Sequence, residues 1–170
     1  MASELRVDKI IPTGGVPTGG GGGIIQVKNT LKTDTFTTQS TSFTDVTGLS
    51  VTITASSASN KILVMVNVFA ACQDSAMLRV VKDGTAIAAG SGGSGGAAYQ
   101  GFAFVRNNST SSGSGYAITF LDSPADTNPH TYKVQCNSEN GSSYPVVVNR
   151  RVSDTTFQLS SSITAMEVSA

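Results

Sequence analysis

The chain has 170 residues, enough for one well-buried core and too few for two comfortable domains. Its 11 basic and 11 acidic residues cancel and lie scattered, so no field draws in nucleic acid or an anionic membrane. No apolar run reaches the length of a membrane-spanning helix, so neither nucleic acid nor a membrane is expected as a partner.

Residues 1–23 read as an N-terminal anchoring arm with a glycine-rich linker, and residues 24–170 as a β domain. Leu5, Val7, Ile10 and Ile11 are the apolar anchors of the arm, while Pro12, Pro17 and the glycines deny it a helix or ladder of its own. Burying four aliphatic side chains on a partner contributes roughly 6 kcal/mol before ordering costs, which makes docking onto another protein the expected use of the segment. The N-terminus carries Glu4 and Asp8 and has no continuous hydrophobic region of signal-peptide length, which does not fit a secretory signal, so synthesis and assembly are expected in a cytoplasm.

Beyond the glycines, β-branched and aromatic residues come in short runs punctuated by Gly, Asn, Asp and Ser, which predicts an all-β fold. Strands are expected near 24–28, 42–47, 50–54, 61–71, 77–82, 85–89, 98–106, 116–121, 131–136, 145–150 and 163–168. Their spacing fits an antiparallel β-sandwich, jelly-roll-like in topology. Ile62-Leu63-Val64-Met65-Val66 is apolar on both faces, so Ile62, Val64 and Val66 are expected either in the core or at an interface between copies of the chain, though an internal loop is an alternative cover. Lys82-Asp83-Gly84-Thr85 predicts a hairpin. Tyr116, Ile118 and Phe120 share one strand face, as do Tyr132, Val134 and Cys136. The low-complexity stretches 90–96 and 107–115 are expected as surface loops, and Cys72 and Cys136 as reduced core residues.

Little of this pattern carries chemistry. Residues 90–95 match G-x-G-x-x-G with no helical pattern after them, and no phosphate-binding lysine follows residues 19–23. His130, the only histidine, sits in a turn-like Asp-Thr-Asn-Pro-His run and is expected to be exposed. No metal site, cofactor site or catalytic set is expected. Asp122, Asp126, Glu139 and Asp154 are the carboxylates a glycan-cleaving enzyme would have to pair, and one sequence does not group them.

Several blocks resemble virion proteins of tailed phages, particularly marine phages that infect cyanobacteria and other bacterioplankton. They are Ser3-Glu4-Leu5-Arg6-Val7-Asp8-Lys9-Ile10 before a Pro/Gly break, Gly22-Gly23-Ile24-Ile25-Gln26-Val27, Ser42-Phe43-Thr44-Asp45-Val46, Ser59-Asn60-Lys61-Ile62, Thr131-Tyr132-Lys133-Val134 and Ile163-Thr164-Ala165-Met166-Glu167-Val168. The resemblance implies a tail-fibre head or capsid-surface decoration protein, homotrimeric, non-enzymatic and located on the virion. Its partners would be other virion proteins of capsid or tail. No shaft separates arm from body, which favours a short fibre, a collar component or a capsid decoration. The alternative is a carbohydrate-binding module for host recognition, with a host surface glycan as partner and Tyr99, Tyr116 and Tyr144 as candidate glycan contacts; the lack of tryptophan counts against it.

Overall fold

A computed structural model describes residues 23–170, an all-β sandwich of two antiparallel sheets. The arm anchors Leu5, Val7, Ile10 and Ile11 lie outside the described residues. The strands are β1 Ile24–Lys32, β2 Phe36–Thr38, β3 Thr44–Thr54, β4 Lys61–Ala71, β5 Ala76–Lys82, β6 Thr85–Ile87, β7 Ala103–Val105, β8 Ser114–Asp122, β9 Pro129–Ser138, β10 Val146–Val148 and β11 Ser161–Val168.

Sheet A runs β1-β11-β4, with β8 on the other edge of β4, and β10 lying beyond the end of β11 on the same edge and carrying β2. Sheet B runs β3-β9-β5, with β6 and β7 sharing the far edge of β5. Alternation decides what lies between the sheets. Ile62, Val64, Val66 and Val68 of β4 point inward against Val51 and Ile53 of β3, Leu78 and Val80 of β5, and Tyr132, Val134 and Cys136 of β9. Ile62, Val64 and Val66 are therefore core residues, and the intervening Leu63 and Met65 are the ones turned outward. Tyr116, Ile118 and Phe120 pair with Val68, Val66 and Val64 and pack against the same core. Both cysteines are buried and free.

Glycine and its substitutes mark the points where pattern and ladder diverge. The two strands expected at 42–47 and 50–54 are one strand, β3, whose register against β9 slips between Asp45 and Ser50 around Gly48 at φ +79°. Asp83 and Gly84, at φ +50° and +89°, make the expected tight turn between β5 and β6. The single strand expected at 98–106 is instead a short 3-10 turn, Gly96–Tyr99, followed by β7. Asn149, wholly buried at φ +63°, ties sheet A together at one corner. Its side-chain amide donates to the Lys32 and Asp34 carbonyls, both at 2.9 Å, its Oδ1 accepts from Ser161 Oγ at 2.6 Å, and its backbone N–H donates to the Phe69 carbonyl.

The register gives the sandwich two ends. At one, the chain enters β1 at Ile24, and the turns 55–60, 83–84 and 123–128 connect β3 to β4, β5 to β6 and β8 to β9. At the other lie the connections 72–75, 106–113 and 139–145. An eleven-residue strand such as β4 separates the ends by roughly 35 Å.

Candidate functional site

The end away from Ile24 carries the candidate site. Residues 88–102 leave the edge of sheet B, cross its outer face and return, and Gly101 makes the return possible. A Cβ there would lie 2.2 Å from the Leu78 carbonyl oxygen, the same atom that accepts from Phe102 N–H at 2.8 Å. Asn137, almost fully buried, pins the crossing segment: its amide donates to the Thr41 and Ala98 carbonyls at 3.2 and 3.1 Å, and its Oδ1 accepts from Met77 N–H at 3.3 Å. The result is a cleft of about 180 Å³ walled by Tyr99 and Phe104 over Met77, with Thr41 and Glu139 at its side. Tyr99 is 50 % exposed and Phe104 54 %. The Tyr99 hydroxyl lies 3.4 Å from Glu139 Oε1.

A second, polar groove of about 250 Å³ adjoins it, lined by Gln73, Asp74, Arg106, Asn108 and Tyr144. The two share a wall, because Asp74 and Ser75 are consecutive, Glu139 N–H donates to the Ser75 carbonyl at 2.8 Å, and the Asn140 amide donates to Asp74. Arg106 lies 3.7 Å from Asp74 and donates to Asn108 at 2.9 Å. Tyr144 is fixed through its carbonyl, which accepts from Ser138 Oγ at 2.6 Å and from Cys72 Sγ at 3.6 Å. Of the three tyrosines proposed from sequence, Tyr99 and Tyr144 thus reach adjoining clefts, whereas Tyr116 faces the core from β8. Phe104, Asp74, Arg106 and Asn137 were not foreseen. Phe104 had a signal in the Phe-Ala-Phe alternation at 102–104, and the other three had none.

The end where the chain enters β1 is closed by ionised groups with fixed partners. Glu167, Ile62 and Asp122 form one inward row across β11, β4 and β8. Glu167 is fully buried with no cation beside it among the described residues: Oε1 accepts from Asn60 Nδ2 at 2.6 Å, Ser56 N–H at 2.6 Å and Ser56 Oγ at 2.7 Å, and Oε2 from Gln26 Nε2 at 2.6 Å. Burial works to raise its pKa, and the donations of Asn60, Gln26 and Ser56 overcome it, holding the carboxyl at about 2. Asp122 accepts from Lys82 Nζ at 2.8 Å and from the buried Tyr132 hydroxyl at 2.7 Å; burial and this carboxylate push the Tyr132 hydroxyl well up.

His130 is not the exposed loop residue expected from its turn-like context. It lies on β9 opposite Ile53, 9 % exposed, with Nδ1 2.6 Å from Asp83 Oδ2 and Nε2 3.1 Å from Asp126 Oδ1. The hydrogen bond to Asp83 raises its pKa most, Asp126 adds to this, and partial burial opposes both. The carboxylates considered for glycan cleavage fall in different settings. Asp122 and Asp126 are engaged as above, Asp154 pairs with Arg151 at 2.7 Å, and Glu139 lines the aromatic cleft.

The outer face of sheet A is of a different kind. Val27, Met166, Leu63 and Leu121 pair directly across β1, β11, β4 and β8 and form an apolar row over the whole width of the sheet. The neighbouring rows hold Asn29, Thr164, Met65 and Thr119, then Leu31, Ser162, Asn67 and Ala117, with no charged side chain among them. Val27, Leu31 and Leu121 are 52, 60 and 56 % exposed. Phe69, Phe157 and Leu159 line an apolar cleft, with Phe69 on the same outward register of β4 as Leu63 and Met65. No loop covers Val27, Leu31 or Leu121, so internal cover for this face is missing among the described residues. No protein-family model matches the chain, and no curated protein matches it.

Proposed function

We propose that this chain is a structural protein of a phage virion, a surface-exposed homotrimer fixed to capsid or tail by its N-terminal arm. The observation that carries the reading is the polarity of the sandwich. The residues that follow the arm enter β1 at one end, while the polar connection 106–113, the adjoining clefts and the turn 139–145 lie at the other, roughly 35 Å away. An anchor at one end and loops at the other is the layout a displayed domain requires. The uncovered face of sheet A supports the oligomeric part: its three rows named above carry no charge, and copies that turn this face toward a common axis bury the Val27-Met166-Leu63-Leu121 row, with Lys61 at its margin.

Removing residues 1–20 tests the division of labour. The truncated protein is expected to keep its melting temperature and oligomeric mass but to stop co-sedimenting with particles that lack the native protein. Equal co-sedimentation of the truncated chain would place attachment in the sandwich. Light scattering tests the assembly separately: the full chain is expected at trimer mass, with Leu63→Asp reducing it to a folded monomer. A wild-type monomer at micromolar concentration would refute the oligomer.

A further inference from the structure

We infer that the cleft between Tyr99 and Phe104 binds a neutral sugar ring, and that the adjoining groove beside Tyr144 receives the next unit of the same chain. A space of about 180 Å³ is smaller than the ~300–1,000 Å³ of sites for drug-sized ligands and suits a single ring. Its apolar walls are two half-exposed aromatic rings over the Met77 side chain, surfaces against which the C–H face of a pyranose packs. Its free polar groups are acceptors or hydroxyls: the Glu139 carboxylate, the Tyr99 hydroxyl and the Thr41 hydroxyl. A carboxylate accepts from two neighbouring hydroxyls at once, which matches a vicinal diol.

Asn137 takes no part in binding directly, because its oxygen and its amide are already spent on Met77, Thr41 and Ala98; it positions the cleft's walls. Among the described residues no cationic side chain lines this first cleft, so an anionic sugar finds no partner in them there. The second groove supplies one, Arg106, together with Gln73, Asn108 and an edge of Tyr144, whose side chain also packs against the core, and it opens directly beyond the Asp74-Ser75 wall. The arrangement accommodates two linked units rather than one.

Saturation-transfer NMR on the full chain tests this without any virion. Methyl glycosides of glucose, galactose, mannose and N-acetylglucosamine serve as single-ring probes, and the matching disaccharide of whichever binds serves for the second groove. At least one glycoside is expected to bind at about millimolar affinity, the disaccharide about tenfold more tightly. Tyr99→Ala and Glu139→Gln, both at the surface, should each abolish single-ring binding, and Tyr144→Ala should remove only the disaccharide's gain. Glu139→Gln keeps the test decisive should Tyr99→Ala perturb its loop, because it alters a solvated carboxylate. Absence of signal from every glycoside, binding indifferent to Glu139→Gln, or competition by choline, which an aromatic-walled acidic cleft would take as a cation, each overturns the inference. Oligomer mass and particle attachment are read by other measurements, so failure here leaves those conclusions standing.

Discussion

Replacing Glu167 with Gln isolates the buried carboxylate at the end where the chain enters β1. Four donors converge on its two oxygens, three of them on Oε1. The amide's NH₂ meets least conflict when turned toward Gln26, where one charge-assisted bond is lost; the three bonds to the remaining oxygen become neutral ones. At about 1.5–3 kcal/mol for the lost bond and roughly 1 kcal/mol for each weakened one, the gross loss is about 5 kcal/mol, offset in part by no longer burying a charge. Proton linkage gives an independent bound. A carboxyl held at about 2 instead of 4.5 contributes at most about 3 kcal/mol, less what water near the exposed Ser56 screens. We expect a net cost of about 2–3 kcal/mol, a fall in melting temperature of roughly 5–10 °C at neutral pH. The sign with pH follows from the depressed pKa: the stabilisation is complete above 4.5 and disappears as the pH falls toward 2. Thermal denaturation of wild type and Glu167→Gln at fixed protein concentration, from pH 7 to pH 2.5, should show the gap closing. A gap under about 2 °C at pH 7, or one that stays constant into acid, would refute the reasoning.

His130 carries the opposite sign, because its pKa is raised by Asp83 and Asp126. Its contribution is complete below about 6.5 and is lost as the pH climbs through the raised folded value, so wild type should lose melting temperature over that window while His130→Asn stays flat; parallel curves would contradict the Asp83–His130–Asp126 bridge. Burial raises both thiols, Cys136 to about 12. A thiol reagent should therefore label neither in the native state and both in urea, and reductant should leave the transition unmoved; a shift of several degrees would indicate a disulfide. Gly101→Ala should cost about 1–3 kcal/mol in chemical denaturation, because the added methyl meets the Leu78 carbonyl, and a neutral result would mean the 88–102 crossing is not seated as described.

What the sequence made legible is what depends on neighbours in the chain. The extent of β4 follows from the apolar run Ile62–Val66 and its continuation past Asn67, and the β5–β6 turn follows from Asp83-Gly84. β2 escaped notice because Phe36–Thr38 is three residues long and becomes a strand only by pairing with β10, more than a hundred residues on. Separation along the chain also hid the ionised groups: Glu167 meets Asn60 and Gln26, more than a hundred residues away, and His130 meets Asp83, 47 residues away, only after the sheets close. Tyr99 and Tyr144 are legible as aromatic residues among loops, but their adjoining clefts depend on Asp74 and Ser75 of one connection meeting Glu139 of another.

Among the described residues β1 pairs within sheet A with β11 alone, and so joins that sheet through a strand made about 130 residues later. Until Ser161–Val168 leaves the ribosome, β1 lacks the β11 ladder and β4 has its β11 edge open, with the exposed Val27 and the outward Leu63 beside those edges. Closure of so distant a pairing is slow. The nascent chain is thus most prone to pair with a neighbour's strand before synthesis is complete, and a chaperone that shields β1 and β4 should raise the yield of folded protein more than any stabilisation of the finished sandwich.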